Sequence, residues 1–173
     1  MTAIDAAKAV VLVFAAAVFQ VSVLNETTIF GGSPDLLLVT LAAVALLRGA
    51  VLGAGAGFVA GLIVDTATLA TLGFSSLLLT LAGYWIGRYG ETTGRDRAHA
   101  PLISVAVITF LYAIATLALR FMLGESAPAG AVFDALLPTM LWNVVLAVPV
   151  YAVCRKAFGA RQPERAREVQ LLG

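Results

Sequence analysis

Residue types that commonly carry chemistry are scarce in this sequence. The chain has one cysteine, Cys154, and one histidine, His99. A single cysteine excludes a disulfide within the chain and is too little for a structural metal site. The sequence also contains no G-x-S-x-G, H-E-x-x-H or Walker pattern, so the usual nucleophile, zinc and phosphate motifs are missing. We therefore expect a protein without enzymatic activity and without a cofactor.

Charged side chains are also few, and this shortage indicates the class of protein. Only 12% of the 173 residues are charged, whereas 61% are hydrophobic. A soluble domain with this composition would be difficult to keep in solution. The apolar segments approach the length of about 20 residues that a helix needs to cross a bilayer. No basic domain supports binding of nucleic acid. We predict an all-α integral membrane protein.

Polar connections divide the apolar sequence into six predicted membrane spans. The first apolar run begins like a signal peptide, but no convincing cleavage site follows it, and its removal would leave an odd number of spans. The second span is short for a bilayer unless residues 29–33 also lie at membrane depth. The predicted spans are 8–24, 34–47, 49–65, 73–88, 101–123 and 134–156, followed by a tail over 157–173.

The distribution of basic residues predicts the orientation of this bundle. Lysine and arginine near the ends of spans are retained on the cytoplasmic side of the membrane. If both termini are cytoplasmic, every lysine and arginine except Arg120 lies on that side. The connections on the other side of the membrane hold the acidic residues Glu26, Asp35, Asp65, Glu125 and Asp134. We therefore predict a six-helix transmembrane domain over residues 1–156, with both termini and the tail in the cytoplasm.

The third predicted helix carries a stripe of glycines. Gly49, Gly53, Gly57 and Gly61 recur every four residues, so they share one helical face. Each glycine costs roughly 1 kcal/mol of helix propensity in water, so a stripe of them indicates that another backbone approaches closely. The stripe packs inside the bundle or binds a partner helix. Replacing Gly57 and Gly61 by leucine is expected to disrupt folding or partner binding.

Two aspartates lie near the ends of predicted helices. Asp35 follows Ser33 and Pro34, and this order is typical of a helix start with an N-cap, a first-turn proline and an acid. Asp65 continues the glycine series at the end of the third helix. There a hydrated carboxylate can cap the following turn or accept a donor from a neighbour. Contact with a partner and ion coupling are the other roles open to Asp65.

The last predicted helix contains a buried amide and a proline. Asn143 lies far from both ends of this helix, so its amide must find partners inside the bundle. Gln20, near the end of the first helix, is a plausible partner by residue type. Pro149 removes one backbone hydrogen bond and frees the carbonyl of Val145, which predicts a kink. The kink fits the helix around its neighbours or opens a cavity.

Several short motifs, in this order and spacing, resemble the MreD family of bacterial rod shape-determining membrane proteins. The resemblance covers nearly the whole chain, and its best block extends from Pro34 to Tyr89. The motifs are Gln20-x-Ser22, Pro34-Asp35-Leu36-Leu37-Leu38, Leu46-Leu47-Arg48-Gly49, Gly57-Phe58-x-x-Gly61-Leu62-x-x-Asp65, Gly73, Gly83-Tyr84, Leu141-x-Asn143 and Pro149-x-Tyr151.

The resemblance implies a non-enzymatic, multi-pass scaffold in the cytoplasmic membrane that serves the machinery for elongation of the lateral cell wall. It implies MreC as the principal partner, with RodA, a class B penicillin-binding protein and MreB filaments nearby. It also implies a fold similar to the substrate-binding S subunits of energy-coupling-factor vitamin transporters. The basic tail can in addition contact anionic membrane lipid.

Two other functions remain open at the level of the residues. A vitamin-binding S subunit should have a polar, aromatic-lined pocket that opens to the outside, yet the outer connections are short and contain no tryptophan. A small ion-coupled transporter would depend on Asp65. Depletion in the native bacterium separates these functions from a role in cell shape, since it would cause loss of vitamin uptake in one case and rounding of cells in the other.

Overall fold

A computed structural model describes residues 3–24, 31–69, 71–93, 99–124 and 129–159. These residues form six α-helices, so the prediction of an all-helical chain with six helices is confirmed. A π-helical turn, Gln20–Leu24, extends the first helix. The predicted tail lies outside the described residues from position 160 onward. The helices are α1 (Ala3–Phe19), α2 (Leu36–Arg48), α3 (Ala50–Ala67), α4 (Phe74–Thr93), α5 (Ala100–Met122) and α6 (Ala129–Phe158).

The short helix α2 lies at the centre of the bundle. Ten of its 13 residues are buried, and it packs against each of the other five helices. Its sequence is apolar on all sides apart from Thr40 and Arg48, which is the pattern of a helix buried all round. At 1.5 Å per residue α2 extends about 20 Å, less than the hydrocarbon thickness of about 30 Å. The longer helices therefore pack around α2.

Four of the described helices are long and apolar enough to cross a membrane. Helix α2 is apolar but shorter, and α4 is not in this group. The four segments are Ile4–Leu24, Ala50–Ala67, Ala100–Met122 and Val132–Phe158. The chain is thus built as a multi-pass membrane protein, while the limits of the six spans and their orientation stay predictions.

Several helix ends meet at one end of the bundle. The side chain of Arg48, at the end of α2, contacts Asp5 at the start of α1 and Phe158 at the end of α6. Helix α2 therefore runs opposite to α1 and parallel to α6. We refer to this end as the basic end, because it contains Lys8, Arg48, Arg88, Arg155 and Lys156.

Candidate functional site

The glycine stripe of α3 packs against α4. The contacts pair Gly53 with Gly83, Gly57 with Leu79 and Gly61 with Ser76. A Cβ atom at any of the three α3 glycines would lie less than 3.0 Å from backbone atoms of α4. Glycine is therefore required because the two backbones approach so closely. In the structure this face of α3 is covered by the bundle itself.

Helix α4 contributes a matching stripe that the sequence analysis did not identify. A Cβ atom at Gly87 would lie 2.5 Å from Ala50, and one at Gly90 would lie 2.9 Å from the carbonyl oxygen of Leu46. The pattern was nevertheless visible, because small residues recur along α4 at helical spacing. They are Ser76, Thr80, Gly83, Gly87 and Gly90. Gly83 and Gly87 thus face the backbone of α3 and its start, whereas Gly90 faces the backbone of α2.

Gly49 has a different role from the other members of the stripe. It connects α2 to α3 with φ of 96°, a conformation that favours glycine. Its N–H donates to the carbonyl of Ala45 at 2.8 Å and closes the last turn of α2. The next N–H, that of Ala50, donates to Oε1 of Glu91 at 2.9 Å. Gly49 therefore turns the chain between two helices.

Asp65 is fully buried and binds the start of α4. Its Oδ2 accepts from the N–H of Gly73 at 2.8 Å and more weakly from that of Ser76 at 3.4 Å. Its Oδ1 accepts from the N–H of Ser75 at 3.0 Å. N–H groups at a helix start have no partner within the helix, and negative charge is favourable there. Asp65 is 0% exposed, so its carboxylate is enclosed by the protein. The prediction of a hydrated carboxylate at this position is therefore wrong.

The start of α2 is fixed by two polar side chains. Asp35 caps the helix, since its Oδ1 accepts from the N–H of Leu38 at 2.8 Å. Gln20, in the π-helical turn after α1, accepts from the N–H of Leu36 at 2.8 Å and donates to the carbonyl of Pro34 at 3.2 Å. These side chains satisfy first-turn groups that have no partner within the helix.

Asn143 attaches α5 and α6 to the same segment. Its side chain is 0% exposed. Its Oδ1 accepts from the N–H of Asp35 at 2.8 Å, and its Nδ2 donates to Oγ1 of Thr109 at 3.1 Å. The amide of Asn143 thus bonds Asp35 and Thr109 rather than Gln20, while Gln20 binds the backbone of the same segment at the start of α2.

A cavity of about 380 Å³ borders this polar site. Its walls include Gln20, Asp35, Thr109, Tyr112 and Asn143. The cavity lies opposite to the basic end, because α2 starts here and ends there. Its amide, carboxylate and hydroxyl groups give it the chemistry to hold water or a small polar molecule.

Replacing Asn143 by leucine is expected to lower the free energy of unfolding by about 1–3 kcal/mol, because Asp35 and Thr109 each lose a buried hydrogen-bond partner. The measurement is unfolding of the purified chain in mixed detergent micelles. Thr139→Val is the control, since it removes a 3.2 Å hydrogen bond from Ser33 at an exposed place. The control should change the free energy by less than about 0.5 kcal/mol. Equal effects of the two variants would refute the assigned role of Asn143.

Helix α6 continues from Ala129 to Phe158 through two prolines, Pro138 and Pro149. Each proline lacks an N–H and so removes one hydrogen bond from the helix. Pro149 lies beside a groove between α1 and α6. The kink at Pro149 stays a prediction.

Arg48 joins three helices at the basic end. Its Nη2 lies 2.8 Å from Oδ1 of Asp5 and donates to the carbonyl of Phe158 at 2.8 Å. Its guanidinium carbon lies 4.7 Å from the centre of the Phe158 ring. Lys8 donates to the carbonyl of Ala157 at 2.9 Å. Cationic groups thus occupy the negative end of α6. The ion pair with Asp5 has no signal in the sequence.

These contacts define the class of the protein. Its glycines and buried polar side chains bind or accommodate the backbone of neighbouring helices, and four long apolar helices can cross the bilayer. The chain is an all-helical, multi-pass membrane protein whose polar groups fasten one helix to another.

Residues 6–158 match the family described as rod shape-determining protein MreD, and the chain therefore belongs to the MreD family. The resemblance seen in the motifs is confirmed. The protein is a non-enzymatic, rod shape-determining component of the elongation machinery and a multi-pass protein of the cytoplasmic membrane. Membership implies association with the rod-shape machinery. Comparison with curated proteins and with solved structures returns no match.

Proposed function

We propose that the protein is a membrane scaffold that gathers MreC and the peptidoglycan synthases of the elongation machinery. The contacts inside the bundle support this role. The glycines and Asp65 hold α3 to α4, while Gln20, Asp35 and Asn143 hold the start of α2. In this proposal these residues are structural fasteners, and neither ion coupling nor partner contact is assigned to Asp65. Partners bind the outer faces of the helices.

A groove between α4 and α5 is the observation that carries the proposal. Trp85, Tyr89 and Ile103 line it, together with further apolar residues of α5. The Ser104 hydroxyl in this groove is buried and has no hydrogen-bond partner among the residues that the structure describes. A buried hydroxyl without a partner costs free energy. The groove itself exposes almost only apolar atoms, so a docked helix would bind there by apolar packing.

We assign this groove to the membrane-spanning helix of MreC. On α5, the exposed residues Ile103, Val107 and Leu111 recur every four positions and form one apolar edge of the groove. On α4, the exposed ring of Trp85 forms the other edge. An apolar groove between two helices suits the docking of a single helix, because close packing of side chains favours helix association inside a bilayer.

The remaining partners follow from the proposed orientation. The basic end faces the cytoplasm under the rule for positive charges, so MreB contacts belong there. The proposal includes an arrangement like that of the S subunits, with six helices and a cavity opposite to the basic end. RodA and the class B penicillin-binding protein are assigned to the outer face of α6, which exposes Leu137, Leu141, Val145 and Val148.

Site-specific photocrosslinking tests the MreC assignment. A photoreactive residue at Val107 should give an adduct with MreC at a yield at least about tenfold above that from Val148, which is exposed on α6. The yield is measured in membranes by immunoblotting for MreC.

Ser104→Ala tests whether the buried hydroxyl contributes to the fold. The hydroxyl has no hydrogen-bond partner among the described residues, so its removal should leave the free energy of unfolding of the isolated chain the same or raise it. A lower stability would show that the hydroxyl serves the fold. Equal adduct yields from Val107 and Val148 would refute the assignment of MreC to this groove.

A further inference from the structure

A second groove lies between α1 and α6, with a part of α2 as its floor. Its volume is about 310 Å³. Both flanking helices are long and apolar enough to cross the membrane, so the groove opens towards the hydrocarbon of the bilayer. Leu12, Ala15 and Ala16 line it on α1, and Pro149, Val150 and Val153 line it on α6.

The lining of the groove restricts its occupant. Apolar side chains make up nearly the whole wall, so the groove does not offer the two to four polar partners that an ordered water needs. A flexible acyl chain can fill an apolar groove that opens towards the hydrocarbon of the bilayer.

Two lysines lie where the groove reaches the basic end. Lys8 precedes Leu12 by four residues and therefore shares its face of α1. Its side chain extends to the end of α6, where it donates to the carbonyl of Ala157 at 2.9 Å. Lys156 is exposed and follows Val153 by three residues, on the same face of α6. The lysines thus place positive charge beside the mouth of an apolar groove.

We propose that this groove binds one anionic phospholipid, with an acyl chain between α1 and α6 and its phosphate headgroup beside Lys8 and Lys156. The groove supplies apolar contact along the chain, and the lysines supply charge complementary to the phosphate. Basic pockets between membrane helices bind anionic headgroups in this way. The lipid also fills the gap between the first and last helices. The inference is independent of the assignment of any protein partner.

Native mass spectrometry of the full chain tests the proposal. The protein is released from nanodiscs that contain equal amounts of phosphatidylglycerol and phosphatidylcholine. One phosphatidylglycerol should be retained per chain, at least about tenfold in preference to phosphatidylcholine, since two lysines contribute about fivefold each. Equal retention of the two lipids would overturn the proposal.

Two variants with matched controls locate the lipid. Lys156→Gln should reduce the preference for phosphatidylglycerol about fivefold, whereas Arg155→Gln, which removes an equal charge from another face of α6, should preserve it. Lys8 is kept because it also bonds the end of α6. Ala15→Phe should abolish retention by filling the groove, whereas Ala152→Phe, on an exposed part of α6 outside the groove, should not.

Three further outcomes would contradict the proposal that a lipid binds in this groove. Equal losses in Lys156→Gln and Arg155→Gln would show diffuse attraction to the basic end and overturn the proposal. Retention that survives in a folded Ala15→Phe variant would do the same. Loss of the phospholipid when MreC is co-expressed would assign the groove to a protein helix instead. Folding of each variant is established beforehand by its thermal unfolding in micelles.

Discussion

Replacing Asp65 by leucine is expected to lower the free energy of unfolding by about 3 kcal/mol or more, because buried N–H groups at the start of α4 lose their acceptor. Asp65 accepts from Gly73 and Ser75 at 2.8 and 3.0 Å, with a weaker bond from Ser76 at 3.4 Å. The carboxylate is fully buried, so water cannot replace it without opening the α3–α4 connection. The loss should appear in unfolding of the purified chain in mixed micelles.

A matched aspartate provides the control for this prediction. Asp134 is exposed on α6, so Asp134→Leu should change the free energy of unfolding by less than about 0.5 kcal/mol. Asp65→Asn should lie between the two, because its amide keeps one oxygen as an acceptor but adds donors that face other donors. Equal stability of the leucine variants at the two positions would disprove the capping role.

The same variants separate a structural aspartate from one that couples transport to an ion. If Asp65 acts as a cap, loss of rod shape should follow loss of stability. Conditions that restore folding of Asp65→Asn should then also restore cell shape. Ion coupling predicts an Asp65→Asn variant with normal stability and no function. Cell shape is scored by complementation of a depleted strain, and the amount of folded protein is measured in the same membranes.

Alanine at Gly57 or Gly61 is expected to lower the free energy of unfolding by about 1–3 kcal/mol, because its methyl group would enter the backbone of α4. A Cβ atom at either position would lie less than 3.0 Å from backbone atoms of Leu79 or Ser76. Leucine at both positions should prevent folding, since α3 and α4 would have to separate. Unfolding in mixed micelles and the amount of protein in membranes measure the two effects.

Gly55 offers a control on the same helix. A Cβ atom at Gly55 would meet nothing within 4 Å. Gly55→Ala should therefore leave stability unchanged or raise it by up to about 1 kcal/mol, the difference in helix propensity between glycine and alanine in water. Destabilisation by Gly55→Ala as large as that by Gly57→Ala would show that loss of glycine in itself, rather than contact with α4, causes the effect.

These predictions place the glycine stripe and Asp65 in one structural unit. The stripe brings the two backbones together along their length, and Asp65 closes the connection between them. Ser76 adds a hydrogen bond from its hydroxyl to the carbonyl of Phe58 at 3.0 Å. Because this face of α3 is occupied by α4, a partner helix that binds here would first have to displace α4. The outer faces of α5 and α6 are therefore more accessible to partners.

Residue type and position in the helix single out the polar candidates, but they do not identify the partners of these side chains. Gln20, Asp35, Asp65 and Asn143 are conspicuous because polar groups are rare in apolar helices and must be satisfied there. Most of their hydrogen bonds go to backbone N–H and carbonyl groups, which every residue carries alike. A sequence pattern cannot distinguish one such group from another, so the contacts could not be read from it.

Sequence reasoning also missed residues whose contacts depend on the tertiary structure. The small residues of α4 had a visible spacing, but Asp5 and Ser104 had no pattern that marked them. Asp5 pairs with Arg48 of another helix at 2.8 Å, and Ser104 is enclosed beside a groove between two helices. Both properties depend on how the helices are arranged around α2.

Apolar composition alone identifies a membrane protein, and the spacing of the polar connections predicts six helices. The order of the motifs indicates the MreD family. Each of these is a local property, because periodicity and hydropathy act within a single helix. The burial of Asp65, the binding of Gln20 and Asn143 to the same segment, and the two grooves depend instead on which helix faces lie together. Apolar faces of similar composition can pack in several ways, and close backbone contact and shared hydrogen bonds select among them.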